Sequence, residues 1–70
     1  MQSVIADNIK AIIADRGLKK GAVAKQAGYD KKVFSNMLNG RKIITAVDVE
    51  KLSVALAVTP NKLLGFQDGD

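Results

Sequence analysis

The sequence has no cysteine, no histidine and no tryptophan, and its 70 residues include one proline and three aromatic side chains, Tyr29, Phe34 and Phe66. Without cysteine there is neither a disulfide framework nor a thiolate metal site, and without histidine the commonest metal ligand and the commonest general base are both missing. No enzyme activity, cofactor or metal site is expected. Asp48 and Glu50 could suggest metal ligation, but carboxylates spaced by two on a helix point apart, and compensation of the helix dipole in a first turn is the simpler role. Phe34 and Met37 could hint at a small-molecule pocket, yet their spacing is that of core residues, and no such ligand is expected. No apolar run approaches the roughly 20 residues that span a bilayer, and the start, MQSVIADN, has neither the basic stretch nor the long apolar segment of a signal peptide. A cytoplasmic protein without a membrane partner is expected.

What is present is aliphatic. Apolar residues make up 47% of the chain, and with so few aromatics the interior has to be filled by Ile, Leu, Val and Ala, a composition that favours helix on helix. Chains of this size bury only about 60% of the surface that they expose when unfolded, so short helices with local contacts are an efficient plan. One domain over residues 1–70 is expected, an all-α, compact five-helix bundle with a short polar tail at 66–70.

The spacing of Ile5, Ile9, Ile12 and Ile13 predicts a first helix from Ser3, its cap, to Arg16, with Gly17 as a left-handed stop and Leu18 as a core plug. A second helix over Lys20 to Ala27 buries Val23, Ala24 and Ala27, and Gly28 makes a sharp turn sealed by Tyr29. Asp30 caps a third helix that runs to about Asn39 and ends at Gly40. At 100° per residue, Val33, Phe34, Met37 and Leu38 share one arc of this helix, while Lys31, Lys32, Ser35, Asn36 and Asn39 share the other. Thr45-Ala46-Val47-Asp48 is a capping pattern that opens a fourth helix to about Val58, with Val49, Leu52, Ala55 and Leu56 as its core stripe. Thr59-Pro60 begins a very short fifth helix, docked by Leu63 and Leu64 and stopped by Gly65.

Charge is distributed unevenly over these elements. Between Arg16 and Lys42 lie eight of the eleven basic residues (Arg16, Lys19, Lys20, Lys25, Lys31, Lys32, Arg41, Lys42) and one of the seven acids, Asp30, a local charge of +7 that leaves −3 for the rest. A nucleic-acid binder gathers cations where phosphates will lie, because affinity comes largely from displaced counterions. The cluster surrounds the tightest turn of the chain.

Leu18, the run Val23-Ala24-Lys25-Gln26-Ala27-Gly28, and Phe34-Ser35-Asn36-Met37-Leu38-Asn39-Gly40-Arg41, followed by Leu-x-x-Ala-Leu-x-Val-x-Pro at 52–60 and a final Leu-Leu-Gly, together resemble the helix-turn-helix domains of phage repressor and Cro type, also called xenobiotic-response-element-like. The resemblance covers about Val4 to Gly65, with the motif itself at residues 20–39, and implies a lambda-repressor-like fold. Two positions depart from the family pattern: Lys19 stands where a capping Ser or Thr is usual, and Gly21 stands where polar helix formers are preferred, at a cost of about 1 kcal/mol relative to Ala. A late or frayed start to the second helix is therefore expected, or a backbone that lets a phosphate come close.

The resemblance implies sequence-specific binding of double-stranded DNA by a small transcriptional regulator, with the third helix in the major groove. Base reading carries over to Lys31, Lys32, Ser35 and Asn36, whose chemistry agrees: lysine suits guanine O6 and N7, asparagine adenine N6 and N7, and serine several base edges. Phosphate contacts carry over to Lys20, Asn39, Arg41, Lys42 and Thr45, whereas Lys25 is plain surface. A single module buries about 600–1,000 Å² on DNA, so a homodimer on a palindromic operator is expected, with Val58, Leu63 and Phe66 as candidate contacts. The competing reading is an antitoxin-type or other protein-interaction module on the same fold, though only residues 66–70 lie beyond the fold to wrap a partner.

Overall fold

The computed structural model describes residues 4–66. Five helices occupy this span, with no strand among the described residues: α1 (Val4–Arg16), α2 (Lys20–Ala27), α3 (Lys31–Leu38), α4 (Ala46–Leu56) and α5 (Pro60–Leu64). Helix α1 packs on α3 and α5, α2 packs on α3 and α4, and α4 also packs on α5. Ser3, the expected cap of α1, lies outside the described residues.

Local chemistry explains most of the boundaries. The Asp30 carboxylate accepts the Lys32 N–H at 3.1 Å and opens α3. Thr45 and Asp48 exchange bonds across the first turn of α4 in a full capping box. Thr59 accepts the Lys62 N–H at 3.2 Å and Pro60 takes the first position of α5. Gly28 closes α2 at φ 86°, a conformation that side chains rarely adopt, and the chain wraps back with the Tyr29 N–H on the Ala24 carbonyl at 2.8 Å. Helix α2 begins at Lys20 although Lys19 supplies no side-chain cap, so the expected late start does not occur. Packing of Val23, Ala24 and Ala27 against α3 and α4 outweighs the missing cap.

The core takes side chains from every helix, with Ile9, Phe34, Met37, Leu38, Leu52, Leu56 and Leu63 fully buried; burial of such a side chain contributes about 1.5–3 kcal/mol. Ser53 is buried among them because its hydroxyl donates to the Val49 carbonyl one turn back, at 2.6 Å. Two polar side chains tie the helices at a distance: Asn8 donates to the Leu63 carbonyl at 2.9 Å, and Arg16 donates to the Leu56 carbonyl, where its charge also faces the negative end of α4.

Several expectations are corrected. Leu18 is 40% exposed rather than a core plug, since the wrap that follows Gly17, with the Leu18 N–H on the Ile13 carbonyl, leaves its side chain at the rim. Leu64 is 39% exposed, and Leu63 alone anchors α5. Helix α3 ends at Leu38, with Asn39 as its closing residue, and α4 ends at Leu56 because Ala57 turns left-handed. Ala55 and Ile5 are half-buried at the core margin.

Candidate nucleic-acid interface

Helix α3 divides cleanly. Phe34, Met37 and Leu38 are buried and Val33 is half-buried, which fixes the rotation of the helix about its axis. Lys31, Lys32 and Ser35 are exposed on the remaining arc, and Asn36 is half-buried at its edge. The stem of Lys31 passes the start of α2: its Cδ and Cε lie 3.9 Å from where a Cβ on Gly21 would stand. Lys20 is exposed at that helix end, and Lys25 is exposed further along α2.

The segment after α3 is folded back on the helix. With Gly40 at φ 78°, the N–H groups of Arg41 and Lys42 both reach the Asn36 carbonyl, at 2.8 and 3.2 Å. This wrap holds two exposed cations beside the polar arc of α3. Asn39, also exposed, has its amide nitrogen 3.4 Å from the Ser35 hydroxyl. Thr45 gives both of its donors, the N–H and the hydroxyl, to Asp48 Oδ2, at 2.9 and 3.0 Å, so a phosphate there would compete with that carboxylate. Arg16, counted in the basic cluster, is committed to the Leu56 carbonyl.

Asp48, legible in the sequence as a capping residue, has a second role that the sequence concealed. Its Oδ1 accepts the Tyr29 hydroxyl, while Oδ2 serves Thr45. Tyr29 also stacks on Phe34, with ring centroids 6.3 Å apart and planes 20° apart, and the Lys51 ammonium lies 4.9 Å from its centroid. Burial alone would push the Asp48 carboxyl up, but the bonds from Tyr29 and Thr45 and the charge of Lys42 outweigh it and hold the carboxyl below its usual 3.8. Burial, and then the bond to Asp48 and that carboxylate's charge, push the Tyr29 phenol above its usual 10.0. Ile43, 83% exposed next to Lys42, also escaped the sequence reading, since no periodicity tells it from Ile44, its half-buried neighbour before the cap.

Two short helices crossing at a glycine turn, the second with an anchored apolar face and a free basic one, define the helix-turn-helix class of DNA-binding fold. The chain belongs to the Cro/C1-type helix-turn-helix DNA-binding domain family, whose sequence profile matches residues 8–69. It is similar in structure to the restriction-modification controller protein C.AhdI from Aeromonas hydrophila, with a TM-score of 0.79 over 86% of this chain and 91% of that one at 22% identity. It is also similar to a hypothetical transcription factor, NHTF, from Neisseria, with a TM-score of 0.81 over 89% of this chain and 71% of that one at 29% identity. Among curated proteins no match was found. The chain thus carries a DNA-binding domain of Cro/C1 type.

Proposed function

We propose that this protein is a sequence-specific binder of double-stranded DNA that acts as a small repressor of Cro type, as one domain over residues 1–70. Helix α3 enters the major groove, Lys31, Lys32, Ser35 and Asn36 face base edges, and Lys20, Asn39, Arg41 and Lys42 grip the phosphates, with Thr45 fixing the end of the gripping segment. The observation that carries this reading is the split of α3: its buried residues set its rotation, and that rotation turns a lysine-rich arc outward beside the wrapped Arg41-Lys42 pair.

A module of this size gains useful affinity by binding twice, so the reading includes a homodimer on a palindromic site with half-sites about one helical turn apart. Of the three candidate contacts, Leu63 is 0% exposed and stays in the core, Val58 is half-buried, and Phe66, 66% exposed, is the side chain free to be covered by a second copy.

Selection of bound sequences from random duplex, followed by titration across salt concentrations, tests the proposal. An enriched inverted repeat and a log–log salt slope near −0.9 per phosphate contact are expected. Asn36→Ala should flatten the preference among sequences, by about 1–3 kcal/mol at the base pair it reads, with modest loss of non-specific binding. Arg41→Ala should weaken all duplexes alike and reduce the slope by about 1. Equal effects from the two variants would overturn the split between reading and gripping, and absence of binding to any duplex in dilute buffer would overturn the function.

A further inference from the structure

An acid beside a DNA-binding surface repels phosphates, so Asp48, next to Lys42 in space, calls for a compensating task. Its contacts supply one. The Tyr29 backbone N–H is held by Ala24 of α2, its ring by Phe34 of α3, and its hydroxyl by Asp48 of α4. On its other oxygen, Asp48 holds the N–H and hydroxyl of Thr45, the last residue before α4. At the far end of the same segment, the N–H groups of Arg41 and Lys42 are held by the Asn36 carbonyl of α3. The contacts therefore close a circuit: the turn before α3, Asp48, Thr45, the basic segment, and the last turn of α3. Capping alone explains the bonds to Thr45. It does not explain the second oxygen, which reaches 19 residues back to the helix-turn-helix turn.

We infer that Asp48 and Tyr29 are positioning residues for DNA recognition: their hydrogen bond locks the segment bearing Arg41 and Lys42 in register with the outward arc of α3, so that phosphate grip and base reading engage the duplex together. The inference rests on the proposed placement of α3 and this segment on DNA. Neither residue needs to touch DNA. With the bond cut, Asn36 still holds one end of the segment, the cap still starts α4 and α4 still packs on α2 and α5, but the direct tie from α4 to the turn before α3 is gone and the angle between segment and reading helix is set less tightly. A duplex then meets either the cations or the base-reading arc in good geometry, and both affinity and discrimination fall.

Tyr29→Phe is the sharpest test, because the ring remains on Phe34 and under Lys51 and only the hydroxyl goes. Affinity for the selected duplex and for a scrambled one is measured across salt, with folding followed by circular dichroism. The variant should stay folded, lose part of the ratio between selected and scrambled duplex, and show a log–log slope shallower by about 0.9–1.8, one or two phosphate contacts. Asp48→Glu, which keeps a capping-box acid but shifts its carboxylate, should do the same and serves if Tyr29→Phe does not fold. The decisive readout is a double-mutant cycle: in an Arg41→Ala, Lys42→Ala background, removal of the Tyr29 hydroxyl should change the slope no further, whereas a merely structural role would add its full effect. A wild-type affinity, slope and ratio in Tyr29→Phe, or additivity in the cycle, overturns the positioning role. Failure of the wild-type protein to bind duplex instead overturns the reading on which it rests.

Discussion

Ala57 holds φ 55°, a left-handed conformation that the described residues otherwise give to glycine, at Gly17, Gly28, Gly40 and Gly65. For an L-residue with a side chain this region costs about 1–2 kcal/mol, and the strain persists because the wrap it permits, Val58 N–H on the Ser53 carbonyl at 3.0 Å, ends α4 and carries the chain into α5. Ala57 is exposed, so no packing is lost when its methyl goes. Ala57→Gly should therefore stabilise the domain by about 1 kcal/mol, partly offset by the greater freedom of glycine when unfolded. In a domain of this size that is a rise of about 4–8 °C in Tm, measurable by thermal denaturation. An unchanged or lower Tm would mean that the backbone at 57 relaxes at no cost.

At the level of the helix, α2 shows how local preference and packing divide the work. It carries Gly21 in its first turn and an uncapped start, yet it forms in full because three of its eight residues are buried against its neighbours. A Cβ on Gly21 would meet nothing closer than the Lys31 stem at 3.9 Å, an ordinary contact. Gly21→Ala is accordingly expected to stabilise the fold by about 0.5–1 kcal/mol while leaving duplex affinity unchanged, as checked by melting and titration together. A clear loss of affinity would instead show that a phosphate approaches the backbone there. The extent of α2, the Gly28 turn, the Asp30 cap and the Thr45–Asp48 box were legible in the sequence because each is written within a few consecutive residues. Leu18 and Leu64 were misread because an apolar residue beside a helix stop looks the same whether the chain turns it inward or to the rim, and only the neighbouring helices decide. Ser53 escaped because its burial depends on a bond to its own helix. The end of α4 was overrun since alanine gives no stop signal, and the Tyr29–Asp48 bond joins residues 19 apart, beyond any local pattern. The outward arc of α3 was readable from helical spacing, but the fold-back that sets Arg41 and Lys42 beside it was not.

Across the molecule as a whole, the missing histidine and cysteine leave no side chain that ordinarily titrates near neutrality, so stability should be flat there and change only at its two edges. The Asp48 carboxyl is held below 3.8 in the fold; its contribution is present above that value and is lost as pH falls through the lower, folded one. The Tyr29 phenol is raised above 10.0; its contribution is present below that value and fades as pH climbs past it. Because one hydrogen bond shifts both groups, Tyr29→Phe should remove the alkaline loss attached to this residue and soften the acid one, an outcome that Tm measured from pH 2 to 11 would reveal. Unaltered edges in the variant would show that other groups govern both limits.

Helix α3 keeps its anchors, Phe34, Met37 and Leu38, and its exposed positions 31, 32 and 35 on residues that have no member in common. Exchange of the exposed set asks nothing of the hydrocarbon interior, which is sealed by other side chains. On the proposed placement of α3 in the major groove, the same scaffold is free to acquire a new DNA preference through a few outward substitutions, so divergence in target among sister proteins need leave no trace in their melting behaviour.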